Sequence, residues 1–552
     1  YQMILRSFIL TALALFMNIA VPRAGSEPGP DESFLYYYRV TFTDKGSVTT
    51  GDFAPEDLLS PAAIARREKC GVAPLTVSDL PVNHDYLTAV TQRGLTYRCA
   101  SKWMNSALFT SASKIESDAL ADLPFVKAML LVKNPTEPVK SADEKYGITS
   151  PGSMADAYDP NVPLNGVPLH QSGFTGQNII IAVLDAGFIN ADLIESLEPL
   201  MLRGGIVATR DFVNGSDYVY DYHNHGTSVL SILAGSVPGV ISGTAPGADY
   251  LLLRTEDDGS EFPVEEDYWA AAAEYADSAG ADIITSSLGY SMFDNPAMDY
   301  SFSDMCGNTT FITRAADAAA SKGILVVASA GNERNNEWVR ILSPSDGDSV
   351  MCIGAVYQDL TISAFSSAGY SSDGRVKPDV VAPGVNLSIQ CVPGQWYTGS
   401  GTSFSCPVIS GLCASLMQAV PGATAADIMN AVRESSDRFN NPDSLYGYGL
   451  PDFVSALKKL EDQHTFKPEV IITAGPNPFF DEISLWFREN PGHLSVSVMD
   501  FSGRLMMRKE FPVYASRSCT LDGFRSMAQG VYYLKVTTDA GERVFKMIRI
   551  RR

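Results

Sequence analysis

The sequence predicts an α/β fold built on a doubly wound, mainly parallel β-sheet with helices on both faces. The first observation comes from residues 158–460. Apolar runs such as NIIIAVLD and ILVVASAGN alternate there with Ala-rich segments such as VEEDYWAAAAEYADSAG. Continuous apolar strands that alternate with helices are typical of a parallel sheet buried on both faces. The second observation is that polar residues follow these strands, in LDAG, SSLG and SAGN, at the edge of the sheet where such folds gather their chemistry.

Near the start of the sequence, the apolar run SFILTALALFMNIAV follows Arg6 and ends close to small residues. This pattern predicts a secretory signal peptide over residues 1–26, because the run is too short for a comfortable membrane span. A membrane anchor is the alternative. No other segment approaches the length of a spanning helix, so we expect no membrane span in the mature form.

Residues 33–133 predict a small α+β domain. FLYYYRVTF is typical of a strand, and LSPAAIARREKCG is typical of a short helix that Gly71 closes. The polar stretch over residues 134–157, rich in Pro, Ser and charge, predicts an exposed linker where proteolytic cleavage is easiest.

The region over residues 468–552 predicts a small all-β sandwich. LSVSVMDFSGRLMMRKEF alternates apolar and polar residues on both sides of a Ser-Gly turn, and GVYYLKVTTDAGERVFKMIRI does the same around Ala-Gly. Hairpins of this kind without intervening helices are typical of all-β domains.

Composition and charge narrow the class of function. A chain of 552 residues is too long for one ordinary core, which agrees with several domains. The net charge of −22 argues against nucleic acid or anionic membranes as partners. The eight cysteines are thinly scattered, and their spacing with histidine suggests no zinc site.

One serine stands in a context that could make it a nucleophile. Ser403, in GTSFSCP, precedes an apolar helical segment, and a serine hydroxyl needs a neighbouring base to react at neutral pH. His225 in HNHGTSV opens another apolar helix and is the candidate base, whereas His223 should face elsewhere. Asp185, at the end of a buried strand, is the candidate acid that holds the imidazole.

A developing oxyanion also needs donors fixed in advance. Asn332 in SAGN offers a side-chain amide at the end of another strand, and the backbone N–H of Ser403 offers a second donor at a helix start. Taken singly, Asp185, Asn332 and Ser403 are more often cap or turn residues, and a lone His-Gly is usually incidental. Their occurrence together in one α/β domain, where strands give way to loops or helices, favours catalysis.

These motifs resemble the four signature segments of the subtilisin-like serine proteases, IAVLDAGF, HGTSV, SAGN and GTSFSCP, in that family's order. The resemblance covers roughly residues 167–457. It implies that Asp185 orients His225, His225 is the general base, Ser403 attacks, and Asn332 binds the oxyanion.

The resemblance also implies a substrate-binding surface. The family pairs the substrate backbone with the segment Ser287, Leu288 and Gly289 as an added strand, while Ser329, Ala330 and Gly331 would line the specificity pocket. Two departures concern local geometry. Ala186 stands where the family usually has Ser or Thr, and the stretch Ser405-Cys406-Pro407-Val408 differs from the family pattern after the nucleophile.

The flanking regions carry looser resemblances. The N-terminal module is similar to the chaperone propeptides of this family, which implies a zymogen cut within the linker; a permanent accessory domain is the alternative. The C-terminal region resembles the sorting domain of the type IX secretion route, which implies outer-membrane secretion machinery as a partner and a secreted or cell-surface location. An ordinary adhesion module is the alternative there.

We therefore expect a secreted serine endopeptidase that acts on protein or peptide substrates and on its own propeptide. A catalytically silent binding module and an esterase with the same triad are the competing hypotheses. The chemistry requires no cofactor. The acidic stretch EDDGSE, residues 256–261, could hold structural calcium, but it has no regular ligand spacing, and a solvated loop is the favoured interpretation.

Overall fold

The structure is a computed structural model that describes residues 34–116, 118–135, 148–151, 158–464, 472–487, 491–501, 503–514, 516, 518–538 and 541–550. The chain divides into two compact units, Tyr1–Leu460 and Glu461–Arg552. The predicted signal peptide and most of the predicted linker lie outside the described residues.

The first unit begins with an α+β region. Its strands are β1 Tyr36–Phe42, β2 Thr96–Ser101, β3 Ser106–Ser111 and β4 Val126–Lys133. Its helices are α1 Pro55–Leu58, α2 Pro61–Lys69 and α3 His84–Thr91. The strands form an antiparallel sheet in the order β2-β3-β1-β4.

The remainder of the first unit is an α/β region. Its strands are β5 Ile148–Pro151, β6 Ile180–Asp185, β7 Ile206–Asp211, β8 Ser236–Val237, β9 Ile241–Ser242, β10 Asp249–Arg254, β11 Ile283–Ser286, β12 Leu325–Ser329, β13 Val350–Val356, β14 Val380–Pro383, β15 Leu387–Val392 and β16 Gln395–Ser400. Its helices are α4 Val167–Gln171, α5 Glu198–Leu202, α6 His225–Ala234, α7 Val264–Ala279, α8 Phe311–Ser321, α9 Thr402–Ala419, α10 Ala425–Glu434 and α11 Phe453–Gln463.

Seven of these strands form the central sheet in the order β14-β13-β12-β11-β6-β10-β7, and every pairing in it is parallel. The register places Leu184 of β6 opposite Ser286 of β11, and Ser286 opposite Ala328 of β12. The carboxyl ends of these three neighbouring strands therefore lie side by side. This is the edge at which the sequence predicts the functional residues.

Side chains alternate between the two faces of the sheet, as the pleat requires. On β6, Ile181 and Val183 belong to the core that includes α6 and α9. Ala182 and Leu184 belong to the core that includes α7 and α8. The sheet is thus buried on both faces by helices, which confirms the predicted α/β class.

The N-terminal sheet packs against α7 through one of its faces. Tyr37 and Leu108 of that sheet share an apolar cluster with Phe262, Val264 and Tyr268 at the start of α7. The other face of the sheet covers its own small core together with α3. The α+β region and the central sheet therefore form one compact unit.

The first residues of the second unit complete α11, and from Ile472 onward its regular elements are all strands within the described residues. They are β17 Ile472–Gly475, β18 Ile483–Phe487, β19 Gly492–Asp500, β20 Leu505–Tyr514, β21 Ser518–Leu521, β22 Gly530–Thr538 and β23 Gly541–Arg549. One antiparallel sheet has the order β17-β18-β21, the other has the order β20-β19-β22-β23, and both contribute to one apolar core. The all-β prediction for this region is confirmed.

Within the predicted linker, β5 pairs antiparallel with β16. The polar composition of the linker gives no indication of this strand. A strand can form there because the hydrogen bonds between strands join backbone groups. In the part of the chain that the structure describes, no helix is long and apolar enough to cross a membrane.

Candidate active site

Asp185 and His225 form a buried hydrogen-bonded pair. His225 Nδ1 lies 2.8 Å from Asp185 Oδ1, and the two side chains are 2% and 0% exposed. A carboxylate oxygen only accepts, so Nδ1 carries the proton and Nε2 is the basic nitrogen of the neutral ring. Asp185 ends β6 and His225 begins α6, so the backbone of both elements fixes the pair.

The turn after Asp185 depends on glycine and on a buried arginine. Gly187 has φ +144°, and a Cβ there would lie 2.9 Å from the carbonyl oxygen of Asp221 and from the amide nitrogen of His223. Arg254, at the end of β10, donates from Nε to the carbonyl of Ala186 at 3.1 Å. These contacts hold the loop that carries the carboxylate.

The departure at Ala186 has a local consequence. The Ala186 N–H donates to Asp185 Oδ1 at 2.7 Å, the same oxygen that receives the imidazole proton. The other oxygen, Oδ2, is buried and has no hydrogen-bond partner among the described residues. Ala186 has no hydroxyl that could donate to it.

Ser403 is the second residue of α9 and is 4% exposed. Its Oγ donates to the carbonyl of Ser287 at 3.2 Å, and the Ser287 hydroxyl donates to the carbonyl of Ser403 at 2.8 Å. Pro407 explains the second bond, because a proline four residues on leaves the Ser403 carbonyl without its helical donor. The reciprocal pair ties the nucleophile candidate to the end of β11.

Asn332 is oriented by the first residue of the same helix. Its Oδ1 accepts from the Thr402 N–H at 2.9 Å and lies 3.0 Å from Thr402 Oγ1. Because a backbone N–H can only donate, the atom facing it must be the amide oxygen, which settles the orientation of the side chain. The amide group lies beside Gly401, where an added Cβ would be 3.5 Å from Nδ2 and 3.7 Å from Oδ1.

The six residues predicted to bind substrate lie on two adjacent segments. Ser287, Leu288 and Gly289 follow β11, while Ser329 ends β12 and Ala330 and Gly331 follow it. Ser343, in the segment 341–343, pairs with Tyr290 beside the first group, and the Leu342 N–H donates to the carbonyl of Ala330 in the second. The segment 341–343 therefore connects the two groups through backbone hydrogen bonds.

The departures after the nucleophile lie behind it, in the core. Cys406 is fully buried, and its Sγ contacts the carbonyls of Val327 and Ser286 at 3.5 and 3.7 Å. Burial raises the pKa of this thiol to about 11, so it stays protonated and is no competing nucleophile. Val408 is equally buried.

The favoured interpretation of EDDGSE as a solvated loop is wrong for its two ends. Glu256 and Glu261 are 1% and 4% exposed. Tyr290 Oη donates to the Glu256 carboxylate, which offsets part of the cost of burying it. The backbone N–H of Glu261 donates to Asp294 Oδ2 at 2.9 Å and fixes that end of the loop. Among the described residues, no group of three or more histidine, cysteine or acidic side chains could hold a metal ion.

The structure brings Thr402, Arg254 and β5 to this site, and sequence reasoning missed all three. Thr402 stands next to Ser403 in GTSFSCP, and its position could have suggested a link to Asn332. Arg254 carries no sequence signal, because its contacts span 43 and 68 residues.

Comparison with known proteins gives three family matches in chain order. A model described as Peptidase S8 propeptide domain, Bacteroidota, matches residues 37–146. The Subtilase family model matches residues 176–449, and the secretion system C-terminal sorting domain matches residues 475–551. A sorting domain of this kind indicates a secreted or cell-surface protein, as the sequence predicts.

Individual relatives cover the central region. Serine protease AprX of Bacillus subtilis is 28% identical over 306 residues, which are 50% of this chain and 65% of AprX. The thermophilic serine proteinase of Bacillus sp. AK1 is 30% identical over 287 residues, which are 52% of this chain and 62% of that protein. The chain thus spans somewhat less than two thirds of the length of these two relatives.

The crystal structure of MycP1 from Mycobacterium smegmatis also matches, with a TM-score of 0.44 and 22% identity over 58% of this chain and 92% of that one. The three family models match successive, non-overlapping parts of the sequence. The chain belongs to the subtilase family, with an S8 propeptide domain before its subtilase region and a secretion sorting domain after it.

Proposed function

We propose that the protein is a secreted serine endopeptidase, made as a zymogen, that hydrolyses peptide bonds through an acyl-enzyme on Ser403. The observation that carries this proposal is the convergence of the buried Asp185–His225 pair, Ser403 and Asn332 at one edge of the sheet. A catalytically silent module has no need for an imidazole whose tautomer a buried carboxylate fixes.

In this mechanism His225 Nε2 takes the proton of Ser403 as Oγ attacks the carbonyl carbon of the substrate. The hydroxyl must first release the carbonyl of Ser287, because it carries a single proton. Asp185 stabilises the imidazolium that forms. His225 then gives the proton to the leaving amine, and water hydrolyses the ester by the same steps in reverse.

The oxyanion that forms in each step would be held by Asn332 Nδ2 and by the backbone N–H of Ser403. The Thr402 N–H holds the Asn332 amide oxygen, which would leave the amide nitrogen to donate to the oxyanion. The first N–H groups of a helix have no intrahelical acceptor, and the helix dipole favours negative charge there. Both donors are therefore oriented before the charge develops.

The test of this proposal is labelling of the processed protein with a fluorophosphonate, followed by mass spectrometry and a peptide-cleavage assay. We expect one label, on Ser403, and cleavage of an unstructured protein substrate. Absence of label on the folded protein would contradict the proposal. Label together with ester turnover but without peptide cleavage would indicate an esterase.

Asn332→Asp is expected to lower kcat by about 10²–10³-fold or more with little change in KM, the order known for loss of one oxyanion donor in this type of enzyme. The new carboxylate keeps an acceptor for Thr402 but loses the donor. Steady-state kinetics on a peptide anilide measures the effect. The exposed Asn335→Asp is the matched control, and a change below threefold at position 332 would exclude the role.

The chain's own linker is proposed as the first substrate. In β5, Ile148 pairs with Ser400, three residues before Ser403, and β5 runs away from that point to Pro151 opposite Tyr397. This strand would hold the leaving-group side of the linker, which supports a cut on the N-terminal side of Ile148. The other limit is Asn134, whose Oδ1 accepts from Asn295 Nδ2 at 2.9 Å.

We therefore expect the earliest new N-terminus of the secreted protein to lie between Pro135 and Ile148. Time-resolved N-terminal sequencing during maturation measures it. A first N-terminus beyond Ile148 would show that β5 does not hold the leaving-group side of the linker. One before Pro135 would show that the contact of Asn134 with Asn295 does not mark the other limit. The released N-terminal region is the proposed inhibitor of the site, and the sorting domain is the proposed ligand of outer-membrane secretion machinery.

A further inference from the structure

The side chain of Leu342 lies between the two segments that are predicted to bind substrate. A Cβ placed on Gly289 would lie 2.8 Å from Leu342 Cδ1, and a Cβ placed on Gly331 would lie 2.8 Å from the same methyl group. One methyl group of Leu342 is thus in contact with the backbone of both segments. It occupies the space that separates them.

The backbone on both sides holds Leu342 in this position. Its N–H donates to the carbonyl of Ala330 at 3.1 Å. The next residue, Ser343, exchanges backbone hydrogen bonds with Tyr290 at 2.9 and 3.2 Å. The segment is therefore attached to both flanking segments, and the Leu342 side chain is only 8% exposed.

A second side chain crowds Gly331. A Cβ on Gly331 would also lie 2.8 Å from Ser367 Oγ, so this hydroxyl lies close to the glycine as well. Gly331 itself has φ +104°, a conformation that disfavours any side chain at this position. At these two glycines, the atoms nearest to an added Cβ thus belong to a leucine side chain and a serine hydroxyl, and neither carries a charge.

We infer that Leu342 closes the specificity pocket and limits the substrate residue on the acyl side of the cut to Gly, Ala or Ser. This inference rests on the proposed function, because it uses the same site. A larger side chain would have to displace a leucine that two neighbouring segments hold by backbone hydrogen bonds. A difference of one methylene in such a pocket changes kcat/KM by about 10–200-fold, so a phenyl group would be rejected strongly.

The test compares two tetrapeptide p-nitroanilides that share their first three residues and end in Ala or in Phe. For the wild-type processed protein we expect kcat/KM to be at least about tenfold higher for Ala than for Phe. In Leu342→Gly, the Phe/Ala ratio should rise at least about tenfold, because the pocket gains the volume of the leucine side chain. Leu342→Ala should give an intermediate ratio.

Leu360→Gly is the matched control, since Leu360 lies on an exposed turn at φ +67°, where glycine fits. We expect it to keep the wild-type ratio. All rates are divided by the concentration of sites titrated with a fluorophosphonate, so that partial misfolding of a variant does not alter the ratio. If Leu342→Gly yields no titratable sites, the inference is tested by the Phe/Ala ratio of kcat/KM in the wild type and in Leu342→Ala.

The outcomes separate this inference from the proposed function. Absence of titratable Ser403 in the wild type would overturn both. Titratable enzyme that cleaves the Phe peptide as fast as the Ala peptide would overturn the inference and leave the endopeptidase standing. An unchanged ratio in both Leu342 variants would show that another residue limits the pocket.

Discussion

Replacement of Ser403 by Ala is expected to lower peptide hydrolysis by at least about 10⁴-fold and to leave the chain uncut. The variant lacks the only atom that can form the proposed acyl-enzyme. It loses one hydrogen bond, from Oγ to the carbonyl of Ser287, which costs about 1 kcal/mol and should not prevent folding. Kinetics and the mass of the secreted protein measure the two effects.

Ser415→Ala is the matched control for this prediction. Ser415 lies in the same helix, is fully buried, and its Oγ has no hydrogen-bond partner among the described residues. We expect this variant to mature and to hydrolyse peptides at the wild-type rate. Processing of Ser403→Ala at the normal position in a purified preparation would show that another protease, or another nucleophile, cuts the linker.

The fold class and the position of the site residues follow from local signals in the sequence. Apolar strands such as β6 must be buried on both faces, and their polar ends at Asp185 and Ser329 must then meet at one edge. The start of α9 is equally local, because Pro407 places Ser403 within its first turn.

Other features of the site could not be predicted, because they depend on contacts between distant segments. The reciprocal bonds of Ser403 and Ser287 join residues 116 apart. The position of Leu342 depends on backbone hydrogen bonds to Ala330, after β12, and from Ser343 to Tyr290, after β11. The local sequence ILSPSDGD has no pattern that predicts these bonds. The strand β5 forms in a stretch that the sequence predicts as an exposed linker, where it pairs antiparallel with β16.

The same holds for the charged contacts between the N-terminal region and α7. Arg66 and Arg67 of α2 both donate to Asp277, which lies 211 and 210 residues away and is fully buried. Arg67 also makes two hydrogen bonds to Asp79 at 2.9 Å. Asp79 in turn accepts from Lys322 at 3.2 Å, and its pKa lies far below the usual range because these cations and Thr76 outweigh its burial.

Asp277→Ala is therefore expected to weaken attachment of α2 to α7 by about 3–5 kcal/mol, the cost of breaking a buried ion pair from one side. The substitution leaves the Arg66 guanidinium, which is 2% exposed, without its carboxylate. Arg67 keeps Asp79 and loses its second partner. Because α2 belongs to the propeptide domain, the variant should mature poorly when Ser403 is present.

The measurement uses the Ser403→Ala precursor, in which the propeptide domain stays covalently attached. Hydrogen exchange of the amides in α2 should accelerate by about 10²–10⁴-fold in Asp277→Ala, since a local opening energy sets that rate. Asp122→Ala is the control, because in its pair with Arg93 the Asp122 side chain is 62% exposed and the Arg93 side chain 41%, so solvent screens their attraction. Equal protection of α2 in both variants would mean that apolar contacts alone hold the propeptide domain on α7.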